Sequence, residues 1–126
     1  MVERWIVDDF AKALAQFEAT LEQEINTDLM RAGCIQYFEF TFELAWKSIK
    51  HVAEEMGLAA CTSPRACLKA AFQQGWIDDE TTWLDMLEAR NRMAHTYDAK
   101  TALAIFDRLA TYCQPMNKLL TRLQSE

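Results

Sequence analysis

The feature that most constrains this chain is an unbroken alternation of three- and four-residue spacings. Between about Asp28 and Met56, the residues Ile35, Phe38, Phe42, Ala45, Ile49, Val52 and Met56 recur at that interval. Such spacing places all of them on one side of an α-helix. Tyr37, Phe40, Leu44 and Trp46 lie beside the stripe and widen its apolar surface. A helix that is apolar on more than one side has to be covered from more than one side. It is therefore central in a bundle, or part of it lies in a dimer interface. Gly57 supplies the C-terminal stop.

Four further helices are predicted around it. The first runs from about Glu3 to Ile25 on a stripe of Phe10, Leu14, Phe17 and Leu21. Ser63-Pro64 starts a short helix, because serine can cap free amides and proline tolerates the first helical position; it ends at Gly75. Asp78 or Asp79 opens the next, with Trp83, Leu87, Arg90, Ala94 and Tyr97 along one stripe. Asp98 caps the last, striped by Ile105, Leu109, Tyr112, Met116, Leu119 and Leu123, with Pro115 expected to kink it or shift its final turns. Only 3 Gly and 2 Pro occur in 126 residues, too little turn chemistry for a many-stranded sheet. Short connections between long helices favour antiparallel neighbours. The expectation is an all-α fold: an up-and-down antiparallel four-helix bundle with one extra short helix, one domain over residues 1–126.

The formal charge of -6 argues against the broad basic surface that grips duplex nucleic acid, without excluding a local site for one phosphate. No apolar run approaches the roughly 20 residues of a membrane span. The opening Met1-Val2-Glu3-Arg4-Trp5 lacks a basic-then-apolar leader, so a cytoplasmic location is expected. Cys34, Cys61, Cys67 and Cys113 form no C-x-x-C pair and are expected to be buried or incidental thiols. Neither they nor the two histidines suggest a metal site, and no cofactor is implied.

One stretch carries chemistry: Arg90-Asn91-Arg92-Met93-Ala94-His95-Thr96-Tyr97. Arg90 stands where the stripe expects an apolar residue, and a charge there is costly unless it is paired or faces a wet cleft. Arginine can hold a phosphate by charge-assisted hydrogen bonds, and histidine can move a proton near neutral pH. Five residues of helix separate Arg90 from His95 by about 140° and about 7.5 Å of rise, so the two do not share a narrow face. His95 instead follows Asn91 by one turn. Two copies about a twofold axis would bring two arginines and two histidines into one cleft. Histidine could then accept a ribose 2′-hydroxyl proton or protonate the leaving oxygen, while arginine stabilises the phosphate. The competing reading pairs Arg90 with a carboxylate and leaves His95 to complete a helix end near Asp98. His51 and its lysine neighbours, Lys47 and Lys50, read as a solvated face.

The Arg-x4-His-x-Tyr string resembles the signature of the HEPN superfamily, and in particular of the HepT-like toxins that pair with minimal nucleotidyltransferases. The segment Ile35-Gln36-Tyr37-Phe38-Glu39-Phe40-Thr41-Phe42-Glu43-Leu44-Ala45-Trp46-Lys47 is similar to the hallmark of nucleotidyltransferase substrate-binding proteins. Tyr37 departs from that pattern, which suggests a basic residue there. The resemblance implies an all-helical homodimer in complex with a minimal nucleotidyltransferase. It further implies metal-independent endoribonuclease activity from Arg90 and His95, supported by Asn91, and silencing by AMP transfer to Tyr97. The alternative it carries is a non-catalytic substrate-binding subunit of a two-chain nucleotidyltransferase.

Overall fold

The structure is a computed structural model that describes residues 4–95 and 98–126, with His95 described only as the last residue of its helix. Six helices follow one another: α1 (Trp5–Leu21), α2 (Asp28–Glu55), α3 (Pro64–Gln73), α4 (Glu80–His95), α5 (Ala99–Phe106) and α6 (Leu109–Gln124). No strand occurs among the described residues, so the all-α expectation holds.

Local chemistry sets the helix ends. The Thr27 side chain accepts from the Met30 amide at 3.1 Å and Ser63 from Ala66 at 3.2 Å. Asp79, one of the two candidate openers, accepts from the Thr82 amide at 3.1 Å, and Asp98 from Lys100 at 3.3 Å. Each bond satisfies an amide that the first helical turn leaves without a partner. At the other end, Gly57 and Gly75 take φ of 71° and 77°. The amide after each reaches back to a helical carbonyl: Leu58 to Ala53 at 3.0 Å and Trp76 to Ala71 at 2.9 Å. These are Schellman closures, which need the left-handed residue that glycine supplies without strain.

The predicted last helix is two. The irregularity expected at Pro115 lies earlier, at Asp107-Arg108, while Pro115 is accommodated inside α6. At the break, three-residue bonds from Arg108 to Ile105 and from Thr111 to Arg108 (both 3.0 Å) tighten the chain. Arg108 is anchored there to Asp85 of α4 at 2.7 Å. The apolar stripe survives the break: Ile105, Leu109, Tyr112, Met116, Leu119 and Leu123 are all buried.

Helix α2 touches all five other helices, which is the covering its sequence demanded. Against α1 it runs antiparallel. Thr41 donates to the Ala13 carbonyl and Ser48 to that of Ile6 (both 3.3 Å), and Arg4 Nε lies 3.2 Å from Glu55. These bonds let two buried hydroxyls sit in an apolar interface. The pairs Asp85–Arg108 and Asp78–Arg122 likewise set α4 antiparallel to α6. At the centre, Phe38 is fully buried among Phe17, Phe42 and Tyr112, with ring centroids 6.2, 6.1 and 5.2 Å away. The predicted stripe of α2 is buried from Ile35 to Val52, whereas Met56, at the helix end, is exposed.

Two of the four cysteines depart from the expectation of free thiols. Cys61 and Cys67 are joined in a disulfide that ties the loop before α3 to its second turn, while Cys34 and Cys113 are free. Capping at Ser63 folds the chain back so that the two Cα atoms stand 5.1 Å apart, within disulfide reach.

Candidate active site

Helix α4 starts in the core and ends outside it. Trp83 and Leu87 of its stripe are buried, Arg90 is half-buried and Ala94 is exposed. The stripe therefore emerges from the bundle at Arg90, which is why a charge is tolerated at a position that the spacing reserves for an apolar residue. There it borders a cleft of about 480 Å³ between the first half of α2, the end of α4 and α5. Apolar walls come from Ile35, Phe40, Met93 and Leu103; polar groups come from Asp28, Arg31, Glu39, Glu43 and Arg90.

Arg90 is both paired and open to the cleft. Its Nε donates to Glu43 Oε1 at 2.7 Å, and Nη2 lies 2.7 Å from the same oxygen. Its Nη1 donates to Asn91 Oδ1 at 3.0 Å. A guanidinium carries five N–H bonds, so the outer edge formed by Nη1 and Nη2 retains hydrogens for a ligand. The carboxylate pairing that the sequence left as an alternative is thus present, together with the accessible face that phosphate binding needs. The structure brings Arg90 and Asn91 together. Asn91 itself borders a different, more open groove with Arg65, Thr81, Asp85 and Glu88, and reaches the cleft side only through its bond to Arg90. His95 closes α4, and Met93, Ala94, Ala99 and Ala102 around that corner line the cleft. Tyr97 lies outside the described residues.

Sequence reasoning missed the carboxylates of α2. Glu39 and Glu43 are one turn apart and both line the cleft. Burial pushes the Glu39 carboxyl up; Arg90 draws it part of the way back, and Glu43 adds to the rise. The signal was available: two acids inside a segment whose other residues, Thr41 apart, are Phe, Leu, Ala and Trp need a cation or a wet face. His51, read as a surface residue, is half-buried, with Nε2 3.1 Å from Glu55. Among the described residues, no group of three or more His, Cys, Asp or Glu could hold a metal ion.

A Haemophilus influenzae protein named Probable ribonuclease HepT is 28% identical over 108 residues, covering 82% of this chain and 74% of that one. A crystal structure from Thermus thermophilus superposes with a TM-score of 0.83 at 33% identity, covering 90% of this chain and 98% of the other. A second solved structure, from Haemophilus influenzae, is described as revealing the fold of a substrate binding domain of a nucleotidyltransferase. It shares that fold at a TM-score of 0.79 and 24% identity, covering 94% of this chain and 98% of its own. The model of the family described as nucleotidyltransferase substrate binding protein like matches residues 6–125. The chain belongs to that family.

Proposed function

We propose that this chain is a HEPN-type ribonuclease subunit, held in check by a separate minimal nucleotidyltransferase as the toxin half of a toxin–antitoxin pair in the cytoplasm. The observation that carries the reading is Arg90. Its guanidinium is held by Glu43 at Nε and Nη2 and by Asn91 at Nη1, and still has N–H bonds for a ligand in the cleft that Arg90 lines. A phosphodiester in that cleft would meet an oriented cation, which is the requirement for stabilising charge that builds on phosphate. His95, one turn beyond Asn91, would move the ribose proton, and the cut needs no metal. The likeness to Probable ribonuclease HepT supports the assignment. Phe40 and Leu103, which line the cleft, are 53% and 49% exposed. A second copy docked there would cover them and bring two Arg90–His95 sets together. Tyr97 would accept AMP from the partner.

The experiment is expression of the chain alone, with growth and RNA integrity followed in parallel. Growth arrest and cleavage that disappear in Arg90→Ala and His95→Ala are expected. Intact RNA, or cleavage that persists in both variants, would remove the ribonuclease reading.

One observation favours a second reading, the non-catalytic substrate-binding subunit. The cleft volume lies in the range of small-molecule pockets, and its walls are apolar with a few polar groups. Reconstitution with the nucleotidyltransferase and labelled ATP separates the two. Label on Tyr97, lost in Tyr97→Phe, supports the toxin; label on a small molecule supports the binding subunit.

A further inference from the structure

Each carboxylate oxygen of Glu43 meets a donor. Its Oε1 faces Arg90 Nε and Nη2, and its Oε2 accepts from Trp46 Nε1 at 2.9 Å. Trp46 stands three residues further along α2, on the same side of the helix. Its indole is half-buried, and Lys47 Nζ rests 5.8 Å from the ring centroid. With a donor at each oxygen, the side chain at position 43 has to accept at both ends. An ionised carboxylate does so. An amide of the same shape turns its own NH2 against one of the two donors.

We infer that Glu43 is a positioning residue for Arg90, and that Trp46 is the tether that fixes it. The indole holds Oε2, which sets Oε1, which locks the Nε–Nη2 edge of the guanidinium; Asn91 takes one Nη1 hydrogen, and the N–H bonds that remain serve the cleft. The arrangement rests on the ribonuclease reading only for what that edge receives, a phosphate. The orientation itself is a property of the free chain. An arginine left free would sample several rotamers, and binding would then have to overcome the entropy of ordering it.

The test uses Glu43→Gln, Trp46→Phe and the double variant in the full chain. The direct readout is the Nε–H resonance of Arg90 in ¹H–¹⁵N spectra, identified by its loss in Arg90→Ala. A slowly exchanging peak is expected at neutral pH in the unmodified protein, and its loss in Glu43→Gln. Trp46→Phe should keep the peak with faster exchange. The double variant should regain it to the Trp46→Phe level, because the amide NH2 then faces a phenyl ring and its oxygen is free to accept from Arg90. Cleavage should follow the same order: kcat down by about tenfold in Glu43→Gln with KM changed much less, and partly recovered in the double.

A peak and a kcat unchanged in Glu43→Gln would overturn the inference. So would a double variant no better than Glu43→Gln, because a merely stabilising ion pair offers no route to recovery by removing an indole N–H. If Glu43→Gln fails to fold, unchanged exchange in Trp46→Phe overturns the inference alone. A chain that cleaves no RNA defeats the ribonuclease reading and leaves the spectroscopic outcome to decide this one.

Discussion

Replacing Arg90 and Glu43 together by leucine separates what the pair does for the site from what it does for the fold. At an effective dielectric of about 20, charges 4 Å apart attract by about 4 kcal/mol. Both side chains here are 30% exposed, so screening reduces that gain. Withdrawing two ions from water costs several kcal/mol and offsets the remainder. The intact pair is therefore close to neutral for stability. Breaking it is not neutral. Arg90→Leu leaves Glu43 with Trp46 as its remaining donor, and Glu43→Leu leaves a half-buried guanidinium; each should cost about 2 kcal/mol, below the range for fully buried pairs. In the double variant both ionic penalties disappear, leaving about 1 kcal/mol for the half-buried Trp46 indole N–H that loses its acceptor. A leucine at 90 also continues the Trp83–Leu87 stripe, a gain of about 1 kcal/mol at 25 cal/mol per Å² of newly buried apolar area. Equilibrium urea unfolding should place both singles below the unmodified chain and the double close to it. A double variant that loses the sum of the singles would refute the reasoning and make the pair a stabilising element in its own right.

Four other outcomes follow from the same geometry. Phe38→Ala removes a fully buried ring with three aromatic neighbours and should cost about 3–5 kcal/mol, read as a lower urea midpoint at unchanged slope. Tyr112 donates to Asp85 at 2.6 Å and its hydroxyl is pushed well above the usual phenol range, by burial first and that bond second. Tyr112→Phe should cost about 1–2 kcal/mol, since Asp85 keeps Arg108 as a partner. Because the folded state raises the Glu39 carboxyl above its ordinary 4.5, neutral Glu39 favours folding; that contribution is complete below 4.5 and is lost as pH climbs through the raised value. Glu39→Gln should therefore melt higher than the unmodified chain at pH 7, with the gap closing as the buffer is taken toward pH 4.5. Thiol titration of the unfolded, unreduced chain should find Cys34 and Cys113 reactive and the Cys61–Cys67 pair silent; four reactive thiols would contradict the pairing.

The helices were legible because their spacing and their caps agree. The stripes of α1, α2 and α6 are buried almost as written, and Ser63, Asp79 and Asp98 are caps whose chemistry is local; the Thr27 cap of α2 was not read. The split between α5 and α6 was not, because the cause is tertiary. Arg108 is drawn to Asp85 across the bundle, while Pro115, the local signal, sits in a turn that absorbs it. The disulfide escaped for a similar reason: a six-residue separation becomes a 5.1 Å approach only once α3 is capped. In the site, Arg90 betrayed itself by interrupting an apolar stripe. Glu43 did not, because periodicity says which side a residue occupies and not which cation meets it there. Its partner lies 47 positions further along the chain.

Glu39 and Glu43 share α2 with Phe38 and Phe42, so one rod carries the bundle's central aromatic residues on one flank and the cleft's carboxylates on the other. Neither flank can be adjusted alone: a half-turn of rotation that improved the packing of a phenyl ring would carry the acids away from the guanidinium. Variation in this cleft is thereby channelled to α4 and α5, whose cleft-facing residues Ala94, Ala99 and Leu103 stand clear of the interior and can change without the bundle registering it.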